Sequence, residues 1–218
     1  MDGNKRWSEN KNLSIKDAYN EGIDNVLRIS EKLIKEEIKY LSVYALSTEN
    51  MKRKSVNLIF NSIFDKFSFF SNKLMNEKSI KVKVIGERDN LPIKLIKLMN
   101  EAEQNTINNQ KLTLILAFNY GFKSELLSVF KKVYKKIKSF NGNNIENINL
   151  DNLFYLNNIP DPDILIRTGG YKRLSNFLMY NLCYTELFFT DTLWPDFKKK
   201  ELEKIIKEFK NLSRNYGL

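Results

Sequence analysis

Short apolar runs alternate with longer segments of helical spacing along most of the chain, and that alternation leaves few folds open to it. Tyr40 to Leu46, Ile80 to Ile85, Leu112 to Phe118 and Ile164 to Ile166 read as strands, with a further short one at Leu187 to Phe189. Val56 to Leu74, Leu91 to Ile107, Lys123 to Ile137 and Lys198 to Leu212 read as helices, and Asn141 to Asn144 as the one obvious loop. An earlier helix is signalled by Ser14 with Asp17 three residues on, followed by a face of Ile23, Val26, Leu27, Ser30, Leu33 and Ile34. Such an order predicts an α/β fold, a mainly parallel sheet flanked by helices, with ligands at the carboxyl ends of its strands. With 218 residues, no internal repeat and only 8 glycines, a single domain over residues 1–218 is expected.

What the chain lacks narrows its chemistry. It has no histidine, so Ser-His-Asp and Cys-His hydrolases, His-ligated zinc and His general bases are excluded. Carboxylates, amides, cations and a bound metal remain. The single cysteine, Cys183, allows no intrachain disulfide, and its neighbours Leu182 and Tyr184 point to a packed thiol. A net charge of +10 suits a polyanionic substrate, an anionic membrane face or nucleic acid. The lysines are spread along the chain, however, and the tract from Lys131 to Lys138 interleaves them with apolar residues as an ordinary amphipathic helix does. With no recognised motif beside it, nucleic acid is not an expected partner. No run reaches the ~18 to 20 apolar residues that span a bilayer, and no signal-peptide pattern opens the chain, so a cytoplasmic protein, at most peripheral to a membrane, is expected.

Three polar clusters stand where strands end or the chain turns. The longest follows Ile164-Leu165-Ile166 and runs Arg167-Thr168-Gly169-Gly170-Tyr171-Lys172-Arg173-Leu174-Ser175. Two glycines let backbone N–H groups approach a ligand, Arg167 and Arg173 grip phosphate oxygens through planar forks, and Ser175 donates from an expected helix start. The plain alternative is a surface loop of solvated arginines. Near the amino end, Asp2, Gly3 and Asn4 precede Lys5, Arg6 and Trp7. An Asp beside such donors holds Mg²⁺ on one side and phosphate on the other, since Mg²⁺ takes one or two protein carboxylates plus substrate oxygens. Read structurally, the same residues are a turn with a helix cap. Ser47, Thr48, Glu49, Asn50 and Arg53 form the third cluster, beyond the Tyr40 strand.

Together the segments MDGNKRW, YALSTENMKR, LILAFNYGFKSEL and PDILIRTGGYKRLSNFLMYNLCYTELFFTDTLWPDF resemble the cis-prenyltransferase family, whose bacterial type is undecaprenyl diphosphate synthase. The likeness covers essentially the whole chain in order. It implies an enzyme that adds isopentenyl diphosphate to an allylic diphosphate such as farnesyl diphosphate, making a long cis-polyprenyl diphosphate of the kind that carries cell-wall precursors. It also implies Mg²⁺, a homodimer, an apolar tunnel for the growing chain and peripheral membrane contact through the product. By residue, Asp2 is catalytic and binds the metal with help from Glu186. Asn4 and Arg6 lie at the allylic diphosphate, with Gly3, Lys5 and Trp7 in the same binding motif, although relatives vary at Lys5. Arg167, Arg173 and Ser175 hold isopentenyl diphosphate, and Ser47, Thr48, Glu49 and Arg53 bind substrate. Asn50 positions the reacting carbons or removes a proton. The Phe-rich helix, with Phe60, Ile63, Phe64 and Phe67 on one stripe, is a candidate tunnel wall, although such stripes are more often plain core.

Departures from the pattern fall mostly on the allylic side. Ile15 stands where a phosphate-binding Arg is usual and Tyr19 where His is usual; Met51 replaces Trp, Phe122-Lys123 replace Gly-Arg, and Tyr171 replaces Glu. Relatives usually carry an apolar strand before the MDGN segment, so a late start or a lost core strand is expected here, with open sheet edges that would misplace Asp2. A catalytically degenerate diphosphate-binding relative is the alternative to an enzyme, and a basic nucleic-acid binder the remote one. The tail from Ser213 to Gly217 is only partly similar, and there Arg214 is the candidate for reaching a partner subunit.

Overall fold

A computed structural model describes residues 1–52, 56–77, 79–89, 91–139 and 148–214. The expected alternation is present. In chain order the elements are α1 (Asn4–Lys11), α2 (Ile15–Lys35), β1 (Tyr40–Ser47), α3 (Val56–Glu77), β2 (Ile80–Ile85), α4 (Ile93–Asn105), β3 (Leu112–Tyr120), α5 (Phe122–Ser139), β4 (Ile164–Arg167), β5 (Glu186–Phe189) and α6 (Lys199–Lys210). The expected loop at 141–144 lies outside the described residues.

Strand β3 is central because its run Leu112-Thr113-Leu114-Ile115-Leu116-Ala117-Phe118 is apolar on both faces, the pattern of a strand covered from above and below. It pairs in parallel with β1 on one side and β2 on the other. Its Leu112, Leu114, Ile115 and Ala117 are fully buried. Helix α2 starts with a capping box: the Ser14 hydroxyl accepts from the Asp17 N–H at 3.1 Å while Asp17 Oδ2 accepts from the Ser14 N–H at 3.1 Å. It lays Val26, Ile29 and Leu33 into a core shared with Val43, Leu114, Trp194, Leu202 and Ile206.

The parallel strands form two sheets, β1-β3-β2 and β4-β5, where the alternation reads as one. Strand pairing between distant segments is a tertiary matter on which local spacing is silent. The edges of β1 and β4 that face away from their partners line a common cavity of about 1430 Å³. Beside those edges Asp2 is tied down at both of its backbone groups. Its N–H donates to Thr168 Oγ1 at 3.0 Å, and its carbonyl accepts from the Trp194 N–H at 2.9 Å.

Trp194 is in turn clamped by α2. Its indole N–H donates to the Gly22 carbonyl at 2.9 Å, and the buried Asn25 side chain donates to the carbonyls of Trp194 and Phe197 at 2.8 and 2.9 Å. Both donors of one amide are used, so Asn25→Leu leaves the Phe197 carbonyl without a partner and the Trp194 carbonyl with only the Phe197 N–H at 3.1 Å. The expected cost is about 2–4 kcal/mol, read as a lower urea midpoint with an unchanged slope. An unchanged midpoint would show that the clamp does not hold this turn.

Candidate active site

The expected polar clusters converge at the carboxyl ends of the strands. Strand β4 ends at Arg167, and Gly169 and Gly170 hook onto the segment just after β5, donating to the Thr192 and Thr190 carbonyls at 2.8 and 2.9 Å. Gly169 has φ +86°, and a Cβ there would lie 2.7 Å from Arg6 Nη2, so a side chain would displace that arginine. The loop then places Ser175, Asn176 and Leu178 in the left-handed region, a cluster of non-glycine strain of the kind found at functional sites. Ser175 thus sits in a coiled turn and opens no helix, which corrects the expectation from sequence; its hydroxyl accepts from Arg167 Nη1 at 2.7 Å.

Asn176, which sequence reasoning passed over, pins the loop. Its side chain donates to Glu49 Oε1 at 2.9 Å and accepts from the Lys123 N–H at 2.9 Å, and its carbonyl accepts from the Phe122 N–H at 2.9 Å. The turn after β1 and the start of α5 are thereby fixed against the arginine loop. Burial pushes the Glu49 carboxyl up, but donation from its own backbone, Asn176, Ser47 and Thr48 outweighs this and holds it below the usual carboxylate range. In the same turn Ser47 Oγ accepts from the Asn50 N–H at 3.2 Å. Burial first, then the Glu49 charge, push the Tyr44 hydroxyl well above its ordinary range. It donates to the Tyr120 carbonyl at 3.0 Å and serves as a donor, not a base.

Two guanidinium groups meet one carboxylate here, with a third close by. Arg167 Nη2 donates to Asp2 Oδ2 at 3.0 Å, and Arg167 Nη1 also donates to the Arg173 carbonyl. Arg6 Nη2 stands 3.8 Å from Asp2 Oδ1 and donates to the Gly169 carbonyl at 2.8 Å. With Arg173 exposed nearby, positive charge is in excess, as an anion site needs. Helix α1 adds to it: its cap, Gly3, offers no side-chain oxygen, leaving the first N–H groups for a ligand. Asn4 Oδ1 is buried with no hydrogen-bond partner among the described residues. Asn4 and Met1 line both the large cavity and a smaller apolar one of about 130 Å³, whose walls include Tyr19, Ile23, Ala45, Ile59 and Leu95.

Other expected residues stand apart. Lys5 lies on the rim of the large cavity but its Nζ turns to solvent, 3.6 Å from Glu9 Oε1. Trp7 lines neither cavity. Arg53 lies outside the described residues. Glu186 opens β5 opposite Ile164, at the far end of β4 from Arg167, and so is set away from Asp2 within one chain. Three strand residues separate the two ends by ~10 Å, and Glu186 Oε1 instead faces Arg214 Nε at 3.9 Å. Cys183 is exposed, not packed. The α3 wall comes from Ile59 and Ile63, while Phe60 turns into the core against Phe118; the Phe67 side chain lies outside the described residues.

The sequence model of the family described as "Putative undecaprenyl diphosphate synthase" matches residues 1–217. The chain belongs to the undecaprenyl diphosphate synthase family, a family of cis-prenyltransferase enzymes. Among curated members it is 38% identical over 218 residues to an isoprenyl transferase of Fusobacterium nucleatum, covering 100% of this chain and 93% of that protein. It is 36% identical over 221 residues to the ditrans,polycis-undecaprenyl-diphosphate synthase ((2E,6E)-farnesyl-diphosphate specific) of Micrococcus luteus, covering 100% of this chain and 88% of that one. Among solved cis-prenyltransferase structures, lavandulyl diphosphate synthase from Lavandula x intermedia, in complex with dimethylallyl diphosphate, superposes with a TM-score of 0.93 at 26% identity. That match covers 100% of this chain and 95% of the other. A "probable undecaprenyl diphosphate synthase" from Campylobacter jejuni gives 0.79 at 29% identity over 91% of this chain and 92% of the other.

Proposed function

We propose that this chain condenses isopentenyl diphosphate with an allylic diphosphate such as farnesyl diphosphate, building a cis-polyprenyl diphosphate of the undecaprenyl type. The observation that carries the reading is that Asp2, Arg6 and Arg167 line a large cavity that shares Met1, Asn4 and Tyr19 with the apolar one, so that one ligand with a charged head and a hydrocarbon tail fits both.

Asn4, Arg6 and the free N–H groups of α1 take the allylic diphosphate, and its tail enters between Tyr19, Ile23 and Leu95. Arg167, Arg173 and Ser175 take the diphosphate of isopentenyl diphosphate. The new C–C bond forms as the allylic C–O bond breaks, and the negative charge left on the departing diphosphate is met by guanidinium and backbone donors already in place. Asn50 positions the reacting carbons: an amide has no basic lone pair with which to take the proton lost from isopentenyl diphosphate. Ile15 and Tyr19 in place of cations weaken the allylic grip by about 1.5–3 kcal/mol for each charge-assisted contact missing.

The donor set fits a Mg²⁺ ion. Among the described residues no group of three carboxylates or thiols forms a cage, and one half-exposed carboxylate, Asp2, completed by substrate oxygens is how Mg²⁺ is commonly held. When bound, the ion would neutralise charge on the leaving diphosphate. Among the described residues no helix is long and apolar enough to cross a membrane; a cytoplasmic homodimer touching the membrane through its product accords with this.

The test is transfer of labelled isopentenyl diphosphate onto farnesyl diphosphate, with Mg²⁺ and in parallel with excess chelator. Label in extracted lipid only when Mg²⁺ is present is the expected result. No label from a folded protein that binds diphosphate would identify a degenerate relative, and equal transfer under chelation would remove the metal.

A further inference from the structure

We infer that Tyr171 is a positioning residue for the diphosphate site, an aromatic platform that holds three arginines together without consuming their charge. The inference rests on the diphosphate reading above. The ring lies 4.3 Å from Arg173 Cζ, 5.0 Å from Arg6 Cζ and 5.8 Å from Arg167 Cζ. These arginines come from three separate places: α1, the end of β4 and the loop beyond it.

Burial does not explain the position of the ring, because Tyr171 is 43% exposed. Nor does its hydroxyl, which makes no hydrogen bond among the described residues. What the ring touches is guanidinium. Gly170, at φ +82°, turns the chain so that the next side chain projects among the cations.

Three like charges around one point repel, and a loop carrying one of them would swing away. A ring offers its negative face to cations within about 6 Å, and planar guanidinium groups stack on it. Asp2 already occupies Arg167 and approaches Arg6. A second carboxylate in this place would pair with a guanidinium and compete with an incoming phosphate. A neutral ring gathers the cations without itself taking up their N–H donors. The platform therefore acts on binding of the diphosphate head and not on bond making.

The test compares Tyr171→Leu and Tyr171→Phe with the parent in two measurements: calorimetric affinity for inorganic diphosphate, and KM and kcat for isopentenyl diphosphate. Removing two or three cation–ring contacts is expected to weaken diphosphate binding and raise KM by about 5- to 20-fold, with kcat changed less than about threefold, while Phe restores both. Melting temperatures confirm that each variant folds, and Tyr171→Met replaces the Leu variant if that one does not. A Leu or Met variant with parental affinity and KM would overturn the proposal, as would a Phe variant as weak as Leu. If the parent itself shows no affinity for inorganic diphosphate, the anion-site reading falls and takes this one with it; weakened binding in Arg167→Ala beside parental binding in Tyr171→Leu overturns the platform alone.

Discussion

Asp2→Ala is expected to lose at least 10²- to 10³-fold in kcat, the scale set by removing one preorganised electrostatic contact from a transition state, while melting within a few degrees of the parent. The two effects separate because different atoms of Asp2 carry them. Its backbone N–H and carbonyl tie the amino end to Thr168 and Trp194, and truncating the side chain leaves those bonds in place. Its carboxylate faces the site and is 37% exposed, so the pair with Arg167 is screened and adds only about 0–1 kcal/mol to stability. Asp2→Asn keeps the shape without the charge and is expected to be nearly as slow as Ala. Single-turnover transfer of label, alongside thermal melting, checks this. Full activity in Asp2→Ala would overturn the assignment of the carboxylate.

The second large effect is at Arg167. One guanidinium donates to the Asp2 carboxylate, to Ser175 Oγ and to the Arg173 carbonyl, so that it ties the amino end, the arginine loop and the end of β4 into one unit. Arg167→Ala is expected to lower kcat/KM for isopentenyl diphosphate by about 10²- to 10³-fold, the loss of two charge-assisted contacts. Arg167→Lys should recover less than about tenfold of this, since an ammonium keeps the charge but not the fork. The loss should fall more on KM for isopentenyl diphosphate than on that for farnesyl diphosphate. Equal losses for both substrates, or recovery of parental activity by Lys, would contradict a site divided in this way.

What sequence reasoning could see was local. Strand and helix order followed from residue spacing, and the Ser14-Asp17 box from two residues three apart. Arg167 and Ser175 could be read as partners because they lie in one loop. Helix α1 was read only as a turn and cap, since NKRWSENK has no apolar stripe to announce a helix. The division into two sheets, the Asn25 clamp on Trp194 and the Asn176 bridge to Glu49 join residues far apart in the chain, where propensity is silent. Ser175 was misplaced because its left-handed backbone is imposed by the loop around it. Glu186 was drawn towards Asp2 by family resemblance, yet β4 and β5 run parallel and carry it to their other end. Tyr171 looked like a mere departure from the family pattern until three arginines were found against its ring.

The most direct measurement is a crystal structure with farnesyl thiodiphosphate, an analogue that resists ionisation, and Mg²⁺. The thiodiphosphate is expected between Asp2, Arg6 and the start of α1, with the farnesyl chain running past Tyr19 and Ile23 towards Leu95. A farnesyl chain lying elsewhere, or a diphosphate that avoids Asp2 and the arginines, would contradict it.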